Sequence, residues 1–155
     1  MLIIVEGERR SGKSTLISTL KMAIPRARVV HCTAQTPNDF RFFSDIIKAA
    51  YTETIICDRF CYGQFAYQSE SERALSLESL HRLEVLMLEC DTSVIYCDCD
   101  AETIIKRMDE TGKNSCNGDY VDSVPRILKG FESIFSQSIL PVVRYNTGNK
   151  NREDV

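Results

Sequence analysis

The sequence has no apolar run close to membrane-spanning length, and no basic segment followed by an apolar one at its start. Neither a membrane span nor a secretory leader is expected, and the chain reads as cytosolic. It also lacks an excess of either charge: 19 Lys and Arg against 22 Asp and Glu leave a net −3. That removes the compositional case for non-specific DNA binding but leaves room for a local basic cleft. No C-x-x-C pair occurs among the cysteines at 32, 57, 61, 90, 97, 99 and 116. The spacing therefore favours reduced, buried thiols filling small apolar gaps over structural zinc. The two histidines, His31 and His81, are far apart and without an evident acid partner in sequence, so ordinary structural roles are expected. Nothing resembles a serine or cysteine hydrolase arrangement, and there is no internal repeat or low-complexity segment. At 155 residues, 43% hydrophobic and 26% charged, the chain suits one globular domain with a single core.

What is present is an alternation of short apolar runs with helical patterns. Strands are predicted at 2–6, 28–32, 54–58, 93–98 and 141–145, and helices at about 13–23, 38–50, 62–68, 73–90, 101–110 and 120–136. Such alternation makes βαβ units and a parallel sheet, an α/β fold. The runs at 54 and 93 are apolar on both faces, as a sheet covered by helices on both sides requires. The stretch "TGKNSCNGD", 111–119, is predicted to be a loop, and the tail from about 148 has no apolar anchor.

The first strand runs into "GERRSGKS", Gly7 to Ser14, which satisfies G-x-x-x-x-G-K-[ST] between a strand and a helix. Gly7 and Gly12 permit a tight backbone whose amides, including those of Glu8, Arg9, Arg10 and Ser11, converge on phosphate oxygens. The helix starting at Lys13 directs its positive end there. Lys13 supplies a mobile cation for the β- and γ-phosphates, and Ser14 a hydroxyl for Mg²⁺, with Thr15 a lesser candidate. A bound nucleoside triphosphate such as ATP is the expectation.

A second cluster, "DRFCYGQFAYQ", follows the third strand at the edge where open α/β sheets place ligands. Asp58 suits either Mg²⁺, through water, or acceptance of a proton from an acceptor hydroxyl; Arg59 offers a planar fork for phosphate. Of the aromatics behind them, Phe65 is expected in the core, and Phe60 or Tyr62 in a pocket as a stacking wall for a base. Gln68 closes the run and is assigned to the same acceptor side. Asp98 and Asp100, in "CDCD", are expected to cap the next helix or lie near nucleotide.

"VEGERRSGKST", "DRFCYGQFAYQ" and "SVIYCDCDAETIIKRM" together resemble the thymidylate kinase-like branch of P-loop nucleotide kinases, in matching order over most of the chain. The resemblance implies a three-layer P-loop NTPase fold with a five-stranded parallel sheet flanked by helices, phosphoryl transfer from ATP, and Mg²⁺. It also places Arg107 near the adenine, Arg10 at the transferring phosphoryl group, the loop 111–119 as the lid, and "NTGN" at 146–149 towards the adenine.

Two departures bear on the acceptor. Arg9 stands where the branch resembles an aspartate beside the sugar 3′ end, and a guanidinium there suits a phosphate better than a free hydroxyl; a solvated loop charge is the other reading. Only 25 residues separate Cys32 from Asp58, leaving room for one helix where thymidylate kinases have an additional base-enclosing segment. Arg41, Phe42 and Phe43 either replace part of that wall or pack on the sheet, the latter being favoured. Compactness resembles the small phage kinases that phosphorylate 5-hydroxymethyluridine within DNA, with the base extruded from the duplex. A pyrimidine deoxynucleotide in DNA is thus the first expected acceptor, a free thymidylate-type monophosphate the second, and a nucleotide-binding NTPase module without an acceptor the third.

Overall fold

A computed structural model describes residues 1–111 and 118–148; most of the expected lid, and the tail beyond Gly148, lie outside them. The elements run β1 (Leu2–Glu6), α1 (Lys13–Ala23), β2 (Arg28–His31), α2 (Phe40–Ala49), β3 (Ile55–Asp58), α3 (Gly63–Tyr67), α4 (Leu77–Leu88), β4 (Thr92–Asp98), α5 (Ala101–Glu110), α6 (Gly118–Ser136) and β5 (Val142–Asn146). All five strands are parallel, in the order β2-β3-β1-β4-β5.

β1 is central because it is apolar on both faces. Leu2 and Ile4 point into the larger core with Phe43, Leu80, Leu83 and Phe131, while Ile3 and Val5 point the opposite way, to Ile17 and Ile56. That two-residue alternation gives three layers: α2, α3, α4 and α6 contribute to one side of the sheet, and α1 packs on the other. A smaller cluster, Ile104 and Met108 with Val124, joins α5 to α6.

Side-chain caps set several helix starts. Asp39 accepts from Phe42 N at 2.8 Å, Ser76 from Ser79 N at 3.1 Å, and Asp100 from Thr103 N at 2.8 Å. Ser76 explains why α4 begins at Leu77 rather than at 73 as its composition predicts. Cys32, Cys57, Cys61, Cys90, Cys97 and Cys99 are free and buried, and burial pushes the Cys32 thiol up to about 12; they pack as apolar fillers. Among the described residues, no helix is long and apolar enough to cross a membrane.

The position of α3, which carries part of the site, depends on a close crossing with α6. A Cβ on Gly130 would lie 2.7 Å from Ala66 Cα and 3.0 Å from its carbonyl oxygen. Both are backbone atoms that cannot swing aside. Gly130→Ala is therefore expected to lower stability by about 1–3 kcal/mol, the range for overpacking, despite alanine's better helix propensity. Chemical denaturation checks it; a gain in stability would show that the helices separate freely.

Candidate functional site

The site lies at the carboxyl edge of the sheet, where β1, β2 and β3 end together. The turn after β1 has Gly7 at φ 145° and Gly12 at φ 94°. A Cβ at Gly7 would meet Ser11 Oγ at 2.7 Å and the Cys97 carbonyl oxygen at 2.9 Å, so glycine is required by space as well as by angle. α1 begins immediately afterwards, and among the described residues no side chain caps its first amides, leaving its positive end available to an anion.

Lys13 is buried, and its Nζ donates to Glu8 O at 2.7 Å. Burial, and then the charge of Arg59, lower its pKa to about 8. Beneath it, at the end of β1, the fully buried Glu6 accepts from Phe60 N at 2.8 Å and Gly63 N at 3.2 Å, fixing the turn after β3. Burial pushes its carboxyl up to about 7, against the pull of Arg59 and Lys13.

Two adjoining cavities open here. The larger, about 500 Å³, brings together Arg9, Arg10, Lys13, Ser14, His31, Cys32, Thr33, Asp58 and Arg59. The smaller, about 230 Å³, shares Arg9, Cys32, Thr33 and Arg59 with it and adds Asn38, Phe60, Gln64, Tyr67, Gln68 and Tyr120 among its walls. Guanidinium groups stand at the junction, Arg9 over the Tyr120 ring at 5.0 Å and Arg59 over the Tyr67 ring at 5.6 Å. Arg10 and Arg59 have positive φ, 62° and 67°, a conformation that costs a non-glycine residue about 1–2 kcal/mol. Ser14 and Asp58 contribute oxygen donors to the larger cavity, the ligand chemistry that Mg²⁺ takes.

Some sequence assignments change and others hold. Tyr62 does not face a ligand: it is fully buried, its hydroxyl donates to Glu84 at 3.0 Å, and its ring packs on Phe135 at 5.3 Å. Phe60 is buried edge-on against Phe43 but keeps a place in the smaller cavity. Phe65, expected in the core, packs against its margin, partly buried, with Arg73 over its ring at 4.3 Å. Arg41 is exposed on α2, 3.9 Å from Asp45, and lines neither cavity; Phe42 and Phe43 pack inward. Thr15 is exposed along α1, outside both cavities. Glu8 turns its carboxylate inward, where one oxygen accepts from Arg9 N, from the Tyr67 hydroxyl at 2.8 Å and from the Tyr120 hydroxyl. Arg107 has its guanidinium on main-chain oxygens, Arg10 O at 3.0 Å and Thr147 O at 2.5 Å. Asp100 caps α5, whereas Asp98 lies 3.5 Å from Arg144.

Other residues carry no local signal. His31 Nδ1 sits 3.0 Å from Asp58 Oδ2, giving that histidine an acid partner after all. The two are register partners across β2 and β3, so knowing the strand order would have paired them. Tyr120 reaches the site from α6, and nothing in its neighbours marks it; Thr147 reaches it from beyond β5, within the "NTGN" run.

No family model and no curated protein sequence matches the chain. Solved structures do. The chain is similar to YorR from Bacillus subtilis, solved in complex with phosphorylated GDP, at 23% identity over 99% of this chain and 90% of that one, with a TM-score of 0.79. It is similar to the deoxyadenosine kinase of M. mycoides with bound dCTP, at 17% identity, 96% and 90% coverage and a TM-score of 0.57. Polyphosphate kinase 2 from Arthrobacter aurescens TC1 matches at 15% identity and a TM-score of 0.67, over 94% of this chain and 60% of that one. The architecture these proteins share with the chain is the α/β P-loop fold, a parallel five-stranded sheet between helical layers.

Proposed function

We propose that the protein is a kinase that transfers the γ-phosphoryl group of ATP to a pyrimidine deoxynucleotide. The observation that carries this reading is the pair of adjoining cavities with Arg9 and Arg59 at their junction: a polyphosphate-sized cationic chamber opening onto a smaller one walled by aromatic rings. The amides of the turn and of α1 hold the donor phosphates, with Lys13 as a mobile charge. Arg10 and Arg59 stabilise the charge that develops on the transferring group. Ser14 would hold Mg²⁺, joined by Asp58 through water only where the acceptor needs no base, and the ion would supply further neutralisation of the phosphates.

The acceptor follows from the same residues. Arg9 places a cation beside the smaller cavity, which suits an acceptor whose sugar carries a phosphate. The first reading is therefore the hydroxymethyl group of 5-hydroxymethyluridine within DNA. That hydroxyl needs a base, and Asp58, held by His31, takes its proton. The second reading is a free thymidylate-type monophosphate, favoured by the small volume walled by Tyr67 and Tyr120; its phosphate oxygen is already ionised and needs no base. Incubation with labelled ATP and either hydroxymethyluracil-containing DNA or free dTMP separates them. Label in DNA that is lost in Asp58→Asn supports the first, and label on dTMP alone supports the second. ATP hydrolysis indifferent to every acceptor would reject both in favour of a nucleotide-binding module.

A further inference from the structure

The outward side of the phosphate turn is held by residues that lie far from it in sequence. Thr147, the first residue after β5, is buried, and its Oγ1 donates to Ser11 O at 2.5 Å. Its own amide donates to Asp98 O at 2.9 Å, so its position is set by the end of β4. Its carbonyl accepts from Arg107, whose other amino group donates to Arg10 O. Two successive carbonyls of the turn are thus tied from behind.

A trans peptide is planar, with its C=O and the following N–H pointing in opposite directions. Tying Ser11 O to Thr147 therefore turns the Gly12 amide to the other side, the side of the larger cavity. Tying Arg10 O to Arg107 likewise turns the Ser11 amide inward, and it closes the turn on Glu8 O at 3.2 Å. The Thr147 methyl completes the support: a Cβ on Gly12 would lie 3.2 Å from it.

We propose that Thr147 is a positioning residue for polyphosphate, acting through the Ser11–Gly12 peptide, and that Arg107 assists it through the Arg10–Ser11 peptide. The inference rests on the reading of the larger cavity as the donor-phosphate site. Without the Thr147 hydroxyl, the Ser11 carbonyl has lost its buried partner and the peptide is free to rotate, taking the Gly12 amide away from the phosphate.

Calorimetric binding of ATP and of inorganic tripolyphosphate tests it, with wild type, Thr147→Val, Thr147→Ser and Arg107→Met. Thr147→Val keeps the shape but not the hydroxyl, and both ligands are expected to bind about tenfold or more weakly, the scale of one hydrogen bond to a charged group. Thr147→Ser, which keeps the hydroxyl, restores most of the affinity. In turnover, the loss falls on KM for ATP with kcat little changed, because the contact is made equally in ground and transition states. Arg107→Met weakens tripolyphosphate as well as ATP; a residue that only touched the base would weaken ATP alone. Unchanged tripolyphosphate affinity in Thr147→Val overturns the inference, as does an equal loss in the valine and serine variants, which would mean packing. A wild-type protein that binds neither ligand would instead overturn the phosphate-site reading itself, and this inference with it.

Discussion

Lys13→Met is expected to abolish phosphoryl transfer and at the same time make the ligand-free protein more stable. In the proposed mechanism, loss of the ammonium removes a charge that serves the transferring group, and turnover falls on the order of 10²–10³-fold or more, as for removal of a preorganised electrostatic donor. Stability moves the other way because the lysine is buried, with a pKa lowered from 10.5 to about 8. Between those values the unfolded chain binds the proton and the folded protein does not, so stability rises with pH through that window. Below pH 8 the whole cost is present, about 3 kcal/mol at 1.36 kcal/mol per pH unit. Methionine matches the stem without the charge. After subtracting the charged hydrogen bond from Nζ to Glu8 O, worth about 1.5–3 kcal/mol, a net gain of up to about 1.5 kcal/mol remains at pH 7. Glu6 has the opposite sign: its folded pKa, about 7, lies above the ordinary 4.5, so its contribution is lost as pH rises between them. Taken together, these two groups alone contribute least to the stability of the ligand-free protein near pH 7–8. Thermal melts of wild type and Lys13→Met at pH 7 and pH 10 check this. A variant that melts lower than wild type at pH 7 would show that the lysine is not held at a cost.

Replacing Arg59 separates its charge from its backbone. Arg59 lines both cavities with φ at 67°, and its amide donates to Val5 O at 2.9 Å, which locks the conformation to β1. Arg59→Ala and Arg59→Gly should both lower turnover by about 10²–10³-fold through loss of transition-state charge stabilisation. Their stabilities should differ in an unusual order. Alanine keeps the left-handed strain and glycine relieves about 1–2 kcal/mol of it, more than the unfolded-state entropy that glycine adds. Glycine is thus expected to be the more stable of the pair in urea denaturation, reversing the order at ordinary positions. If alanine is the more stable, the backbone there carries no strain. If turnover is unchanged in both, the guanidinium does not act on the phosphoryl group.

The strands and the turn were legible because their signals are local. β1 reads at its observed bounds from five consecutive apolar and acidic residues, and Gly7 and Gly12 need a tight turn wherever it is found. Helix ends were legible to within a cap: Ser76 stops α4 short of where the leucine pattern alone would begin it. The acceptor side was less so. Tyr62 and Phe60 lie two residues apart in a short aromatic run, and only the placement of α6, with Phe135 against Tyr62, decides which ring is core. His31 with Asp58, Tyr120 with Glu8 and Thr147 with Ser11 are separated by 27, 112 and 136 residues respectively. Contacts of that kind come from sheet order and helix packing, which local periodicity does not encode.

One oxygen of Glu8 receives the hydroxyls of Tyr67 and Tyr120, so a residue of the donor turn is also the anchor of α3 and α6. Any motion that loosens the tyrosines also disturbs the turn, and any ligand that steadies the turn steadies the tyrosines. Donor and acceptor should consequently bind with mutual reinforcement: each tightens the other's affinity by the same factor, as thermodynamic reciprocity demands.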